Sequence, residues 1–151
     1  MNLEYIFYIH ASTENVWSIL TQPEKTSAIF YGAKVSSTFE VGQNIQYLGP
    51  GRDGEKTLHM YGKVLEYIPL NKLVHTIQVG EVYRNGTRPF TSRVSYALED
   101  CGFAVKLTVR QDQWHKDDPS YQATKEGWWL MLSNIKSLAE TGIPLNIGHH
   151  Q

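Results

Sequence analysis

Cysteine is nearly missing from this chain: Cys101 is the only one in 151 residues. No internal disulfide can form, and the expected location is a reducing cytoplasm. Charge of either sign is not in excess. Fourteen Lys and Arg stand against fifteen Asp and Glu, a formal net charge of −1. That balance removes the electrostatic case for binding nucleic acid or an anionic membrane. No apolar run reaches the roughly 18 residues that a membrane-spanning helix needs, so membrane insertion is not expected. The opening Met1-Asn2-Leu3-Glu4-Tyr5 has no basic stretch followed by an apolar one, so no signal peptide is expected.

Chemistry-bearing motifs are equally scarce. Gly49-Pro50-Gly51 reads as a turn and not as a strand-to-helix phosphate loop. His10, His59, His75 and His115 lack the spacing of metal ligands, and the adjacent His149-His150 pair reads as a solvated tail. The lone cysteine has no assignable partner for nucleophilic work. No metal and no cofactor is therefore expected, and no catalytic residue is singled out.

What the chain has in quantity is apolar patterning. Hydrophobic residues make up 41% and charged residues 19%, which suits one folded domain with one core. That domain is expected over residues 1–145, followed by a polar tail at 146–151. A long helix is predicted from Pro119 to Thr141. Asp118 is its N-cap, Pro119 occupies the first turn where a missing N–H costs nothing, and Gly142 and Pro144 end it. At about 100° per residue, Trp128, Met131, Leu132, Ile135, Leu138 and Ala139 share one stripe, with Trp129 on its flank. Asn134 is placed off the stripe. Gly127 costs roughly 1 kcal/mol of helix propensity relative to Ala. It implies a close approach to a sheet or room for the neighbouring indoles.

The rest is mostly strand. Leu3 to His10 alternates with both faces largely apolar, which predicts cover on each side or a neighbouring subunit. Ser12 caps a short helix with Val16, Trp17, Ile19 and Leu20 inward, and Pro23 opens a second short helix. Six strands are then expected: 33–40, 43–48, 57–68, 72–79, 91–99 and 103–114. Phe103, Val105, Leu107 and Val109 are assigned to one face of the last strand. Asn85-Gly86 marks a tight turn, and Asp100-Cys101-Gly102 a hairpin. Short connections imply an antiparallel meander. The order β-α-α-β6-α makes this an α+β fold, its sheet wrapped around the final helix.

The strand alternation puts Tyr47, His75, Ile77, Tyr96 and Leu107 on the sheet face that meets Trp128 and Leu132 of the helix. A curved sheet and a straight helix cannot touch along their full lengths, so a cavity lined by these seven residues is expected near one end. His75 shares its face with Leu73 and Ile77, so it needs a polar partner there or offers one to a ligand.

Three stretches are similar to a known family. Ile9-His10-Ala11-Ser12-Thr13-Glu14-Asn15-Val16-Trp17 with Thr21-Gln22-Pro23-Glu24 resembles its opening. Gly62-Lys63-Val64-Leu65-Glu66 and Lys72-Leu73-Val74 resemble its central strands. Gly127-Trp128 with Leu132, Ile135 and Leu138 resembles its closing helix. The family is the START-like (Bet v-like, SRPBCC) helix-grip superfamily, and within it the bacterial homologues of the activator of the heat-shock-protein-ninety ATPase. The chain departs from it where Ile29-Phe30-Tyr31 replaces a Trp after the second helix, and where Ile77 replaces a Trp at a strand end. The resemblance implies a helix-grip fold, which hosts lipid carriers, receptors, cyclases and co-chaperones. The expected function is non-catalytic binding of a small apolar or amphipathic molecule. The alternatives are a cyclase- or hydrolase-like enzyme using His75, Tyr47 or Asp112, and a chaperone-interacting module. A second copy of the chain is an expected partner.

Overall fold

A computed structural model describes residues 1–145, so the predicted tail and His149-His150 lie outside the described residues. The strands are β1 (Leu3–Ile9), β2 (Lys34–Ser36), β3 (Asn44–Pro50), β4 (Lys56–Ile68), β5 (Lys72–Val79), β6 (Ser92–Asp100) and β7 (Val105–Asp112). The helices are α1 (Thr13–Thr21), α2 (Pro23–Ile29) and α3 (Tyr121–Thr141), with a single 3-10 turn at Glu81–Tyr83. The strands form one antiparallel curved sheet in the order β1-β7-β6-β5-β4-β3-β2. Strands β2 to β7 run as the expected meander, and β1 returns to pair with β7, Leu3 opposite Gln111 and Ile9 opposite Val105.

The inward face carries the predicted alternation. Ile45 and Tyr47, Leu73 and His75, Val94, Tyr96 and Leu98, and Val105, Leu107 and Val109 are all buried. The β4–β5 register shifts between Val64 and Glu66, but Val64 still pairs with His75, so the β5 face is not inverted. Ser12 accepts from Asn15 N at 3.1 Å as the α1 cap. Asn85 and Gly86 both have positive φ, and Thr87 N donates to Arg84 O at 2.9 Å, the two-residue turn that the Asn-Gly pair signals.

Three expectations are corrected. Helix α3 begins at Tyr121 and not at Pro119. Asp118 Oδ1 accepts from Ser120 N at 2.9 Å and Ser120 Oγ at 2.8 Å, so its carboxylate closes a local turn ahead of the helix. Strand β2 has three residues where eight were expected. Ser37 Oγ donates to Asn44 O and accepts from Phe39 N, and Phe39 takes a φ of 61°, so side-chain bonds replace the ladder there. Strand β7 is shorter at both ends. Gly102 at φ 84° turns the hairpin and leaves Phe103 outside, 71% exposed and stacked on Tyr8, while Gln113 at φ 58° ends the strand. On β1, Ile6 and Tyr8 point outward and are largely exposed, with the Phe103 ring against Tyr8.

The C-terminal half of α3 closes the core. Leu132 and Ile135 are fully buried, and Asn15 Nδ2 donates to Ala139 O at 2.9 Å. Asn134, read as lying off the stripe, is fully buried as well. Its Nδ2 donates to Ala28 O at 3.1 Å and its Oδ1 accepts from Leu145 N at 2.7 Å.

Candidate functional site

The sheet and α3 part at the N-terminal end of the helix. A cavity of about 310 Å³ lies there between β3–β6 and the first turns of α3. Tyr47, His75, Ile77, Tyr96 and Trp128 of the predicted set line it. Leu107 and Leu132 do not. Both are fully buried in the packed half of the core, because the helix already touches the sheet where they lie. The sequence pattern missed Met60, Phe90 and Met131, which add apolar wall, and Ser92 and Gln111, which share the inward alternation. Tyr31 and Ala123, also on the lining, are exposed, so the cavity opens to solvent on that side.

Gly127 lines the cavity too. A Cβ placed on it would meet nothing within 4 Å apart from its own helix and chain neighbours. Of the two readings of Gly127, the close approach of the sheet is therefore absent. The missing side chain leaves open space.

The inner end is built of neighbouring aromatic rings. Tyr47 and His75 have centroids 6.1 Å apart, His75 and Tyr96 6.2 Å, and Tyr96 and Trp128 6.0 Å edge-on. The Trp128 indole is fixed by Nε1 donating to Gln111 Oε1 at 2.8 Å, and Gln111 Nε2 donates to Ser92 Oγ at 2.9 Å. His75 is 1% exposed, and its Nδ1 lies 2.7 Å from the Thr76 carbonyl oxygen. A carbonyl only accepts, so Nδ1 carries the proton and Nε2 keeps its lone pair. Nε2 has no partner and is sealed from solvent. Burial lowers the pKa of this imidazole to about 4, against a smaller opposing effect of the Thr76 bond. The ring is thus neutral near neutral pH. Burial also pushes both phenols up, and for Tyr96 the nearby Tyr47 adds to the shift. No described residue hydrogen-bonds either phenol hydroxyl, and neither hydroxyl is among the sealed atoms.

Asp112, the carboxylate of the enzyme alternative, is not on this face. It alternates with inward Gln111 and is held by Arg93 through two bonds of 2.9 and 2.7 Å. The Arg93 guanidinium keeps its carboxyl below the ordinary range. Among the described residues no three His, Cys, Asp or Glu side chains group as metal ligands. No helix among them is long and apolar enough to cross a membrane.

An antiparallel sheet gripping a C-terminal helix, open at one end over an aromatic cavity, defines a helix-grip α+β protein. The chain belongs to the family described as "Activator of Hsp90 ATPase homolog 1-like protein", which matches residues 10–140. Solved structures agree in fold. The Aha1 dimer from Colwellia psychrerythraea is 19% identical with a TM-score of 0.70, over 94% of this chain and 98% of the other. A protein from Arthrobacter aurescens is 18% identical with a TM-score of 0.74, over 99% and 92%. DynU16, a putative protein in the dynemicin biosynthetic locus, is 20% identical with a TM-score of 0.72, over 95% of this chain and 48% of its own. No curated protein matches the chain.

Proposed function

We propose that the protein binds a small apolar or amphipathic molecule, without converting it, in the cavity between the sheet and the first turns of α3. Tyr47, His75, Ile77, Tyr96 and Trp128 are the proposed ligand contacts. The observation that carries this reading is an open cavity of about 310 Å³ with aromatic and aliphatic walls, and with the Tyr47 and Tyr96 hydroxyls engaged by no described residue. That is the usual make-up of a small-molecule site. Catalysis is the weaker reading. A general base needs a pKa near the working pH, whereas His75 is held near 4 and Asp112 is tied to Arg93 on the other face. Action on a chaperone is supported only by the family description. The cytoplasm is the proposed location, on the single cysteine. A homodimer is proposed because the Colwellia relative is described as a dimer. Sedimentation equilibrium giving the mass of one chain would remove it.

The test uses an apolar fluorescent dye and the Ile77→Trp variant. Ile77 lines the cavity and is only partly buried, so a larger ring there fills space without displacing the packed core. Wild type is expected to bind the dye and the variant to bind it at least about tenfold more weakly, a difference of roughly 1.4 kcal/mol. Equal binding by two folded proteins would mean surface adsorption and would leave the chaperone-interaction reading ahead.

A further inference from the structure

A glycine inside a long helix calls for a reason, because it is a poorer helix former than alanine. Gly127 lies inside α3. Three ordinary reasons fail there. The first is backbone shape. Gly127 is helical and does not take a positive φ, so an L residue can adopt its conformation. The second is a close approach. A Cβ at this position would meet nothing within 4 Å beyond its own helix backbone and chain neighbours. The third is room for the adjacent indoles. Trp128 is anchored to β7, where its Nε1 donates to Gln111 Oε1 at 2.8 Å, and Trp129 packs edge-on against Tyr5 of β1 with centroids 4.8 Å apart. Both rings are seated by the sheet.

The space itself is left. Gly127 is half-buried and on the cavity lining, together with Ala123, Thr124 and Met131. Residues three and four apart share a helix face, so these four positions form one wall of the cavity. The wall is stepped: small at Ala123, bare at Gly127, large at Met131. A longer side chain at 127 would fill the notch without disturbing the helix, since leucine and methionine are good helix formers. Size makes the notch count. About 310 Å³ is at the small end of the roughly 300–1,000 Å³ range of ligand pockets, so one added side chain removes a sizeable share of it.

On the reading that the cavity is a ligand site, we propose that Gly127 sets the size of molecule it accepts. One ring of a two-ring apolar ligand lies against Tyr96 and Trp128 at the inner end, and the second lies in the notch against the α3 backbone. A large side chain at 127 restricts the cavity to a single ring. Gly127 is then a specificity-determining position that acts by leaving space, through no bond of its own.

Phenol and β-naphthol differ by one fused ring and share their polar group, so calorimetry of both with the full chain near neutral pH tests this in wild type, Gly127→Ala and Gly127→Leu. Wild type is expected to bind β-naphthol the more tightly. Gly127→Leu should weaken β-naphthol by about tenfold or more and leave phenol within about threefold of wild type. Gly127→Ala adds one carbon and should weaken β-naphthol less than Gly127→Leu does. Both variants should melt no lower than wild type, because nothing stands where the new atoms go. Equal losses of the two ligands in Gly127→Leu, or no loss of either, would overturn the proposal. So would a loss at Gly127→Ala as large as at Gly127→Leu, which would point to helix flexibility, or a lowered melting point of Gly127→Ala, which would show that the space is closed. In any of these cases, weaker β-naphthol binding by Ile77→Trp would leave the cavity a ligand site. Failure of both ligands to bind folded wild type would overturn the proposal and the reading beneath it together.

Discussion

His75 sets the balance at the residue scale. A fully buried imidazole with one nitrogen unpartnered is a cost that the core carries. The cost becomes visible with pH. The pKa falls from 6.5 in the open chain to about 4 in the folded one, so between these values the unfolded state binds the extra proton. Stability is therefore full above the unfolded pKa and falls as the pH drops toward the folded one. Between about pH 7 and pH 5 this single group should remove on the order of 2 kcal/mol, from roughly 1.36 kcal/mol per unit. Urea melts at the two pH values check it. His75→Phe, where folded, should flatten that part of the slope, and an unchanged slope would show that other groups set it. Asp112 and Glu140 have lowered pKa values, so their losses fall at more acid pH and overlap little.

Helix α3 does two different jobs along its length, and adjacent turns should answer mutation with opposite signs. Leu132 is fully buried against the sheet, so Leu132→Ala should cost about 2–5 kcal/mol. One turn earlier Gly127 faces open space, so Gly127→Ala meets no clash and should gain up to about 1 kcal/mol of helix propensity. The pair is read in one series of denaturant melts. A loss at Gly127→Ala would mean that the cavity wall closes on that position, and a change of under about 0.5 kcal/mol at Leu132→Ala would mean that the helix is not gripped there. A stability gain with loss of dye binding in a larger Gly127 variant would place the missing side chain in the service of the cavity.

At the scale of the whole molecule, the elements are tied by a few long-range polar bonds as well as by the core. Asn134 joins α3 to the end of α2 through Ala28 and to the chain's return through Leu145. His10 N donates to Glu140 Oε2 at 2.7 Å, and the Tyr5 hydroxyl donates to Lys125 O at 2.6 Å, so both halves of α3 are tied to β1 or the turn that follows it. Asn134→Ala leaves a part-buried carbonyl and a part-buried amide without their side-chain partner. It should cost about 1–3 kcal/mol, with loosened hydrogen-exchange protection of the Leu145 amide and of the amides at the end of α2. Loss confined to α3 would show that the residue packs locally and joins nothing.

Periodicity carried most of the architecture. The 3.6-residue stripe from Trp128 to Ala139 and the two-residue alternation of β3, β5, β6 and β7 report which side of each element is apolar, and burial follows from that directly. Turns with a chemical signature were legible for the same local reason, as at Asn85-Gly86 and Ser12. Where side chains bond to nearby backbone instead, the pattern misled: Ser37 shortened β2, and Asp118 delayed α3. Asn134 was misread because its partners, Ala28 and Leu145, lie on other elements and leave no periodic trace. The cavity divided the same way. Facing direction was readable for Tyr47, His75, Ile77, Tyr96 and Trp128, but nothing in a single strand says how far the helix stands from it. Leu107 and Leu132 share that inward facing, yet they sit where helix and sheet meet, and the cavity sits where they part. Separation depends on the curvature of seven strands together and on the turns that seat the helix, and that sum exists only once the chain is folded.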